Sequence, residues 1–259
     1  MARASDRGQR DGFVVTAHSE TREEAWAHSG HLQGLRDWRP PTNGPVIVVA
    51  PHPDDETLGC GGLLSTLESL GTPTTVLLVS DGEAADADLD TAARRELSQL
   101  RRSEFESAMQ LLAPSAHQVC AQLPDGGLAD HEAELERAIL NLVGGASLIV
   151  APHPHDLHPD HEAVGRAAVS VAHARGIPLM AYGIWLWSWT QPGDPAHQWQ
   201  DARILTLADQ VLATKRAAIA CYSSQLQPRL SDGPVLTPEV LMHHTREFEV
   251  YFTMSGGTR

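Results

Sequence analysis

The sequence predicts an α/β fold, with a mostly parallel, doubly wound sheet and helices on both of its faces. Short, unbroken apolar runs rich in β-branched residues, such as residues 46–50 (VIVVA), are typical of strands buried on both faces. Segments with apolar residues at helical spacing lie between these runs. A regular alternation of the two patterns is typical of parallel strands joined by right-handed helical crossovers.

The predicted elements follow one another after a lead-in. Residues 19–38 have the pattern of a short helix, and the proline-rich segment 39–45 ends it. The predicted strands cover residues 46–50, 74–80, 118–123, 147–151, 178–187, 202–207 and 247–254. The predicted helices cover residues 61–70, 91–112, 131–143, 160–174 and 208–220. We therefore divide the chain into an N-terminal extension at 1–44, partly helical or flexible, and a single domain at 45–259.

The helix predictions depend on spacing and on end signals. In the segment 61–70 the apolar residues repeat at helical intervals, at Leu63, Leu64, Leu67 and Leu70. The pair Gly144-Gly145 stops the helix predicted at 131–143. The glycine-rich run 59–62 matches neither a dinucleotide-binding nor a Walker pattern, so we expect it to allow close packing of a helix against the sheet.

Composition excludes several classes of function. The chain of 259 residues has 33 acidic against 19 basic residues and a formal net charge of -14, which disfavours nucleic acid or an anionic membrane as the main partner. Its three cysteines are widely spaced and form neither a disulfide framework nor a zinc ribbon. No signal peptide and no apolar run of membrane-spanning length is visible. We expect a cytoplasmic protein.

Two of the predicted strands end in polar clusters. Residues 51–56 (PHPDDE) follow the strand at 46–50, and residues 152–161 (PHPHDLHPDH) follow the strand at 147–151. Ligands of open α/β sheets bind beyond the carboxyl ends of the strands, so both clusters are expected at one edge. Imidazole and carboxylate groups favour zinc, with iron, cobalt or nickel as alternative divalent metals, and a catalytic zinc usually takes three protein ligands.

The neighbours Asp54 and Asp55 cannot easily both face one ion. One of them can bind the metal while the other accepts a proton from water, which is the general-base role. Such residues also serve as helix caps and turn formers, as Asp160 does if it only starts a helix after Pro159. Because both strands end in such a cluster, we favour the metal site.

The two clusters also carry a family resemblance. PHPDDETLGCGG at 51–62 and HPDHEAVGRAA at 158–168 resemble the LmbE-like (PIG-L) family of zinc-dependent N-deacetylases. The resemblance covers roughly residues 46–225 and includes weaker matches. These are VSDGE at 79–83, Arg101 with Glu104, LPDG at 123–126, KRA at 215–217 and SQ at 224–225. The resemblance implies a Rossmann-like fold and hydrolysis of an N-acetyl group, mostly from N-acetylglucosamine-type sugars and their conjugates.

The resemblance also implies roles for individual residues. It implies one Zn²⁺ held by His52, Asp55 and His161, with Asp54 as the general base. The further residues that match family positions are His158 for oxyanion stabilisation or general acid catalysis, Asp160 as its neighbouring carboxylate, and Arg101 for substrate binding. For Arg101 a surface salt bridge is an equal alternative. His153 and His155 are extra to the family pattern, and we expect them to be solvated loop residues or to line the pocket.

Other features bear on the substrate. Alternation along the predicted strand puts Trp185, Trp187 and Trp189 on one face, which suits a sugar ring or aromatic aglycone and equally suits internal packing. The segment 223–245 is loop-like and has the character of a lid. The expected partner is a small N-acylated sugar or glycoconjugate, and homo-oligomerisation stays open.

Three functions therefore stay open. The first is a zinc-dependent hydrolase that removes an N-acetyl or other N-acyl group from such a sugar. The second is an amidase that acts on a thiol-sugar conjugate at the same metal site. The third is a non-catalytic nucleotide-binding module of Rossmann type, which would need a glycine fingerprint that is missing after the first strand.

Overall fold

One eight-stranded sheet organises the residues that the computed structural model describes, namely 21–86, 89–228 and 233–254. The strands are β1 Arg36–Asp37, β2 Val46–Ala50, β3 Thr74–Leu78, β4 His117–Cys120, β5 Leu148–Pro152, β6 Leu179–Tyr182, β7 Ala202–Thr206 and β8 Phe248–Thr253. Their order in the sheet is β1-β7-β8-β6-β5-β2-β3-β4. The strand β8 is antiparallel to β6 and β7, and the other neighbours are parallel. The prediction of a mostly parallel α/β sheet is confirmed.

Helices cover both faces of this sheet. They are α1 Glu23–His28, α2 Asp55–Ser69, α3 Thr91–Leu112, α4 Glu132–Leu142, α5 Pro159–Arg175, α6 Leu186–Trp189, α7 Asp209–Ile219, α8 Ser223–Leu226 and α9 Pro238–His244. One hydrophobic cluster lies between the sheet and α2, α3 and α7, and the other lies beneath α4 and α5. The doubly wound arrangement is therefore confirmed. Within the described ranges, no helix combines the length and apolarity needed to cross a membrane.

The central strands place the two polar loops side by side. All residues of β2 and β5 are buried, as their unbroken apolar sequences predict. The two strands pair in parallel, with Val46 opposite Leu148 and Val48 opposite Val150. The loop after Ala50 and the loop after Pro152 therefore leave the same edge of the sheet, and the metal-site hypothesis required this arrangement.

The helix α2 begins earlier than the sequence predicts. It starts at Asp55 instead of residue 61, because the Asp54 carbonyl accepts the backbone N–H groups of Thr57 and Leu58 at 3.0 and 2.8 Å. The glycine-rich run consequently lies inside the helix. A Cβ atom at Gly59 would lie 2.3 Å from the Tyr182 ring, so glycine is required for this close approach of helix and sheet. The packing role expected for these glycines is confirmed.

The predicted strand at 178–187 is wrong in its second half. β6 ends at Tyr182 and the short helix α6 follows. Backbone N–H groups of Ile184 and Leu186 donate to the Asp156 carboxylate at 2.8 and 3.1 Å, which turns the chain out of the sheet. The three tryptophans therefore do not share a strand face. Trp185 and Trp189 stack at 4.7 Å, whereas Trp187 is buried against Trp26 at 5.1 Å.

The described part of the N-terminal extension packs onto the sheet and its helices. The helix in this region is shorter than the predicted 19–38, because α1 ends at His28 and β1 then pairs with β7. Trp26 is fully buried and donates its Nε1–H to the Trp187 carbonyl at 2.8 Å. Residues 1–20, the start of the extension expected to be partly helical or flexible, lie outside the described residues.

The segment 223–245, expected to be loop-like, contains α8 and α9. Its residues 229–232 lie outside the described part of the chain.

Candidate metal centre

Three donor atoms from the segments that follow β2 and β5 converge at the carboxyl edge of these strands. Nδ1 of His52 lies 3.2 Å from Oδ2 of Asp55 and 3.2 Å from Nε2 of His161. The third distance, from His161 Nε2 to Asp55 Oδ2, is 3.3 Å. All three side chains are at most 10% exposed. The structure thus brings together the three residues predicted to bind the metal.

The size of this triangle fits a tetrahedral ion. Zn–N and Zn–O bonds of about 2.0–2.1 Å place neighbouring ligand atoms of a tetrahedral zinc about 3.3–3.4 Å apart. The three measured distances lie at or just below this value. The donor set of two imidazoles and one carboxylate is also one that zinc takes in catalytic sites, where a fourth position stays open.

The remaining nitrogen of each ligand histidine faces a carboxylate. Nδ1 of His161 lies 2.7 Å from Oδ2 of Asp156, and Nε2 of His52 lies 3.0 Å from Asp125 Oδ1 and 3.2 Å from Asp160 Oδ2. Metal-binding histidines usually donate their second N–H in this way, which fixes the tautomer and orients the ring. Because the carboxylates take the other ring nitrogens, His52 Nδ1 and His161 Nε2 keep their lone pairs for a metal ion in the triangle.

Two further groups of donors overlap with this triangle. Ring nitrogens of His52, His158 and His161 lie within 4.8 Å of one another, and so do donor atoms of His52, Asp125 and Asp160. The second group has less capacity for a metal, because Asp160 already accepts backbone N–H groups from Gly126 at 2.8 Å and Leu128 at 3.0 Å. We therefore favour the triangle.

The protonation of the ligands reflects the surrounding negative charge. Burial alone would lower the pKa of His52, but Asp125, Asp160 and Asp55 outweigh it and raise the pKa well above its usual value. For His161, burial is likewise outweighed, chiefly by Asp55 and Asp156, and the pKa rises to about 9. Four carboxylates thus favour a positive charge at this place.

Asp54 is the residue predicted to act as the general base, and that role stays a prediction. It is the residue before α2, and its φ of 121° is rare for a residue other than glycine. Burial, together with Asp55 and Glu56, raises the pKa of Asp54 to about 8, although the Arg101 guanidinium opposes that rise. A proton acceptor is most effective when its pKa lies near the working pH.

Arg101 contacts Asp54 directly. One guanidinium nitrogen lies 3.3 Å from Asp54 Oδ2 and donates to the Pro53 carbonyl at 2.7 Å, and the other donates to the Gly82 carbonyl at 2.9 Å. The side chain is 4% exposed, so the alternative of a surface salt bridge is wrong. The contacts orient Asp54, and substrate binding by Arg101 stays a prediction.

His158 and Asp160 lie at the start of α5. The His158 ring centroid lies 4.6 Å from that of His161 and 5.2 Å from that of His52. Burial, followed by His161 and His52, lowers the pKa of His158 to about 3, so its imidazole is neutral. The Asp160 carboxylate faces His52, a partner that the sequence did not predict.

The remaining loop histidines differ from each other. His153 is buried, and its Nδ1 accepts the backbone N–H of His155 at 3.1 Å, whereas the His155 side chain is exposed.

Two supporting carboxylates were not assigned from the sequence. Asp125 belongs to the LPDG match and Asp156 stands five residues before His161, but neither position indicated which histidine it would orient. Asp156 is fully buried and also accepts N–H groups from the chain after β6. A search for carboxylates near the ligand histidines, at other strand ends, would have found Asp125.

Comparison with known proteins agrees with this geometry. The family described as PIG-L: GlcNAc-PI de-N-acetylase matches residues 47–172. A protein of Bacillus cereus named probable N-acetyl-alpha-D-glucosaminyl L-malate deacetylase 2 is 30% identical over 132 residues, covering 48% of this chain and 59% of that protein. A diacetylchitobiose deacetylase of Thermococcus kodakarensis is 29% identical over 143 residues, covering 51% of each chain.

A solved structure shares the fold. The N,N'-diacetylchitobiose deacetylase from Pyrococcus horikoshii superposes with a TM-score of 0.61 at 19% identity, over 82% of this chain and 84% of that one. The chain spans only 59% and 51% of the lengths of the two curated relatives above. The family match covers the three residues of the ligand triangle and the carboxylates that orient them. The stretch 47–172 of this chain is therefore similar in sequence to the PIG-L family.

Proposed function

We propose that this protein is a zinc-dependent hydrolase that removes an N-acetyl group from an N-acetylglucosamine-type sugar or glycoconjugate, releasing acetate and a free amine. The observation that carries the proposal is the triangle of His52 Nδ1, Asp55 Oδ2 and His161 Nε2, with edges of 3.2–3.3 Å. The deacetylase names of the relatives support the reaction, and their sugar substrates support the substrate class.

The residues His52, Asp55 and His161 would hold the metal. A bound zinc ion lowers the pKa of water and polarises a carbonyl group. The carboxylates of Asp125, Asp160 and Asp156 keep the two histidines oriented towards this position. The protein would thereby supply three ligands, the number that a catalytic zinc usually takes from its protein while a fourth position stays open.

Asp54 would accept the proton of the attacking water. It is adjacent in sequence to Asp55, yet its carboxylate contacts Arg101 instead of joining the triangle. The guanidinium fixes the direction of the carboxylate, because it also bonds to the Pro53 and Gly82 carbonyls. The same carboxyl group can then return the proton to the leaving amine.

His158 would stabilise the negative charge on the reacting oxygen. Its imidazole is neutral, because burial and the neighbouring histidines lower its pKa to about 3. A neutral imidazole still has one N–H group to donate to an oxyanion. Its ring lies beside those of both ligand histidines, which is where that charge would develop.

The other two functions have less support. The family match favours amide hydrolysis over a nucleotide-binding module. An amidase that acts on a thiol-sugar conjugate would use the same triangle, so only substrates can separate it from the deacetylase.

The test is acetate release from a panel of N-acetylated sugars, including N-acetylglucosaminyl malate and diacetylchitobiose, with thiol-sugar conjugates alongside. The expected result is acetate release that stops after treatment with a chelator and returns with Zn²⁺. The exposed His155 offers a matched control for His158, since His158→Asn should lower the rate and His155→Asn should not. Activity that survives complete removal of metal would contradict the proposal.

A further inference from the structure

We propose that Glu56, held in turn by Tyr222, is a positioning residue that keeps Asp54 in the conformation needed to accept the proton. The inference rests on the proposed function for its catalytic part, but the claim about conformation can be tested without any substrate. It is carried by a buried chain of hydrogen bonds from Tyr222 to Glu56 and on to the backbone of Asp54.

The backbone of Asp54 requires support from its surroundings. Its φ of 121° and ψ of -31° lie in a region that side-chain-bearing residues rarely occupy. Such conformations persist only where neighbouring groups hold them, and they concentrate at functional sites. A relaxed Asp54 with negative φ would turn its carboxylate away from Arg101, which lies 3.3 Å from it.

Each peptide group next to Asp54 has a partner. The carbonyl of Asp54 accepts N–H groups from Thr57 and Leu58 in the first turn of α2, at 3.0 and 2.8 Å. The Asp54 N–H donates to Oε2 of Glu56 at 3.2 Å. The Glu56 side chain thus reaches back over two residues and fixes the plane of the peptide group that precedes the strained residue.

A simple helix cap does not account for Glu56. A glutamate in the first turn favours the positive end of the helix dipole, and such residues are ordinarily exposed. The Glu56 side chain is instead 0% exposed. Burying a carboxylate is costly unless it is fully hydrogen-bonded, so its place in the interior needs the additional donors that this structure provides.

Two hydroxyl groups donate to Oε1, the other carboxylate oxygen of Glu56. The Tyr222 hydroxyl donates to Oε1 in a very short hydrogen bond, and the Thr57 hydroxyl donates to the same atom at 2.5 Å. Oε1 therefore faces the hydroxyls while Oε2 is left for Asp54. Burial raises the pKa of the Tyr222 phenol well above its usual value, so this hydroxyl remains a donor at neutral pH.

The Tyr222 segment is itself anchored to α3. Glu104 accepts hydrogen bonds from the Ser223 hydroxyl at 2.7 Å and from the backbone N–H and hydroxyl of Ser224 at 2.8 and 2.7 Å. Arg101, which contacts the Asp54 carboxylate, stands one helical turn before Glu104 on α3. One helix therefore holds both the carboxylate and, through Tyr222 and Glu56, the backbone of the same residue.

Four variants test the proposal. Glu56→Ala removes the acceptor, Glu56→Gln keeps an acceptor oxygen of the same reach, and Tyr222→Phe removes only the hydroxyl. Tyr251→Phe is the matched control, because the buried Tyr251 hydroxyl donates to Glu249 at 2.7 Å without touching Asp54.

We expect kcat to fall about 100-fold in Glu56→Ala and about 10-fold in Tyr222→Phe, the scale of a misplacement of about 1 Å. KM and bound metal should stay within about twofold of the wild type. Glu56→Gln should recover most of the rate, and Tyr251→Phe should keep it. If Tyr222→Phe lowers kcat no more than Tyr251→Phe does, the proposal is overturned.

A double-mutant cycle separates positioning from general damage. In an Asp54→Ala background, Glu56→Ala should lower the residual rate by less than about twofold, because its effect passes through Asp54. An undiminished effect in that background would mean that Glu56 acts through another group.

Crystal structures give a readout that needs no activity. The φ of Asp54 should become negative in Glu56→Ala or in Tyr222→Phe and stay near its present 121° in Tyr251→Phe. If the wild-type protein hydrolyses no acetylated sugar, the proposed function fails, and the structures still decide the conformational claim. An unchanged Asp54 in both Glu56→Ala and Tyr222→Phe would refute the positioning role even if the rate fell.

Discussion

Oδ2 of Asp156 lies 2.7 Å from Nδ1 of His161, and both side chains are at most 1% exposed. The same carboxylate accepts backbone N–H groups of Ile184, Trp185 and Leu186, which follow β6. One buried aspartate thus orients a predicted metal ligand and also ends the neighbouring strand. The position of His161 therefore depends on hydrogen bonds between the segment after β5 and the segment after β6.

The first prediction concerns Asp156. Asp156→Asn should weaken zinc binding about 10- to 100-fold, which is the usual effect of removing the carboxylate behind a metal-binding histidine. Competition with a chelator of known affinity measures the loss. Asp194→Asn is the matched control, because Asp194 also accepts a loop N–H, from Ala196 at 2.9 Å, but lies outside the metal site. Equal zinc affinity in the two variants would show that the Asp156 contact does not support the ligand.

The second prediction separates the neighbours Asp54 and Asp55. Asp55→Asn should lose most of the bound zinc, because the Asp55 carboxylate supplies one corner of the triangle. Asp54→Asn should keep the zinc and lower kcat about 10²- to 10⁴-fold, the range expected for loss of a general base. Metal analysis of both purified variants, followed by acetate release with zinc added, measures the two effects. Loss of zinc in both variants would show that both carboxylates hold the ion.

The third prediction concerns pH and the docking of α1. Burial raises the pKa of Glu23, but hydrogen bonds from His243 and Arg246, and the charge of Arg246, outweigh it and lower the pKa below its ordinary value of 4.5. A carboxyl group with a lowered pKa stabilises the fold above its unfolded-state pKa and stops doing so as the pH falls through its folded-state pKa. Glu23→Gln should therefore lower Tm at pH 7 and have little effect at about pH 3.

Thermal unfolding at the two pH values measures this difference. The adjacent Glu24 is exposed, so Glu24→Gln is the control and should leave Tm nearly unchanged at both. A Glu23→Gln effect of the same size at pH 7 and at pH 3 would mean that the charge of Glu23 contributes nothing to holding α1 against α9.

Local sequence patterns predicted the centre of the sheet and a metal site at the two polar strand ends, and the family resemblance implied which residues form the ligand triangle. The runs at β2 and β5 are apolar throughout, so their burial and their polar ends could be read directly. The failed predictions depend on distant contacts. Glycines disfavour a helix, and the close approach of Tyr182 at Gly59 and of Leu207 at Gly62 explains why α2 has glycines there. The alternating tryptophans have the pattern of a strand, but the chain forms a short helix there. The backbone N–H of Trp185 donates to Asp156, which lies 29 residues earlier in the chain.

The partners of the site residues were unpredictable for the same reason. Glu56 stands next to a predicted ligand, but its partner Tyr222 is 166 residues further along the chain. The Asp160 carboxylate faces His52 across 108 residues. Spacing in the sequence identifies which residues lie at a strand end, whereas the hydrogen bonds that set their orientation depend on how the crossovers pack.

The last prediction concerns a buried ion pair beside α2. Nζ of Lys215 donates to Oε1 of Glu249 at 2.6 Å and to the Leu58 carbonyl at 2.8 Å. Glu249 also accepts the backbone N–H groups of Gly62 and Leu63, at 2.7 and 2.9 Å. In a regular α-helix the Leu58 carbonyl and the Gly62 N–H would be partners of each other. The ion pair therefore bonds to the backbone of the helix that carries Asp55.

Lys215→Met should destabilise the protein by about 3–5 kcal/mol, because Glu249 would be left buried without its counter-charge. Lys215→Met combined with Glu249→Gln should cost less than Lys215→Met alone, since no unpaired charge remains. Urea unfolding measures both values. Arg216→Met is the control, because Arg216 is exposed and, among the described residues, its side chain bonds only to the Thr245 carbonyl, at 3.1 Å. If Lys215→Met costs no more than Arg216→Met, the pairing of Lys215 with Glu249 does not stabilise the fold.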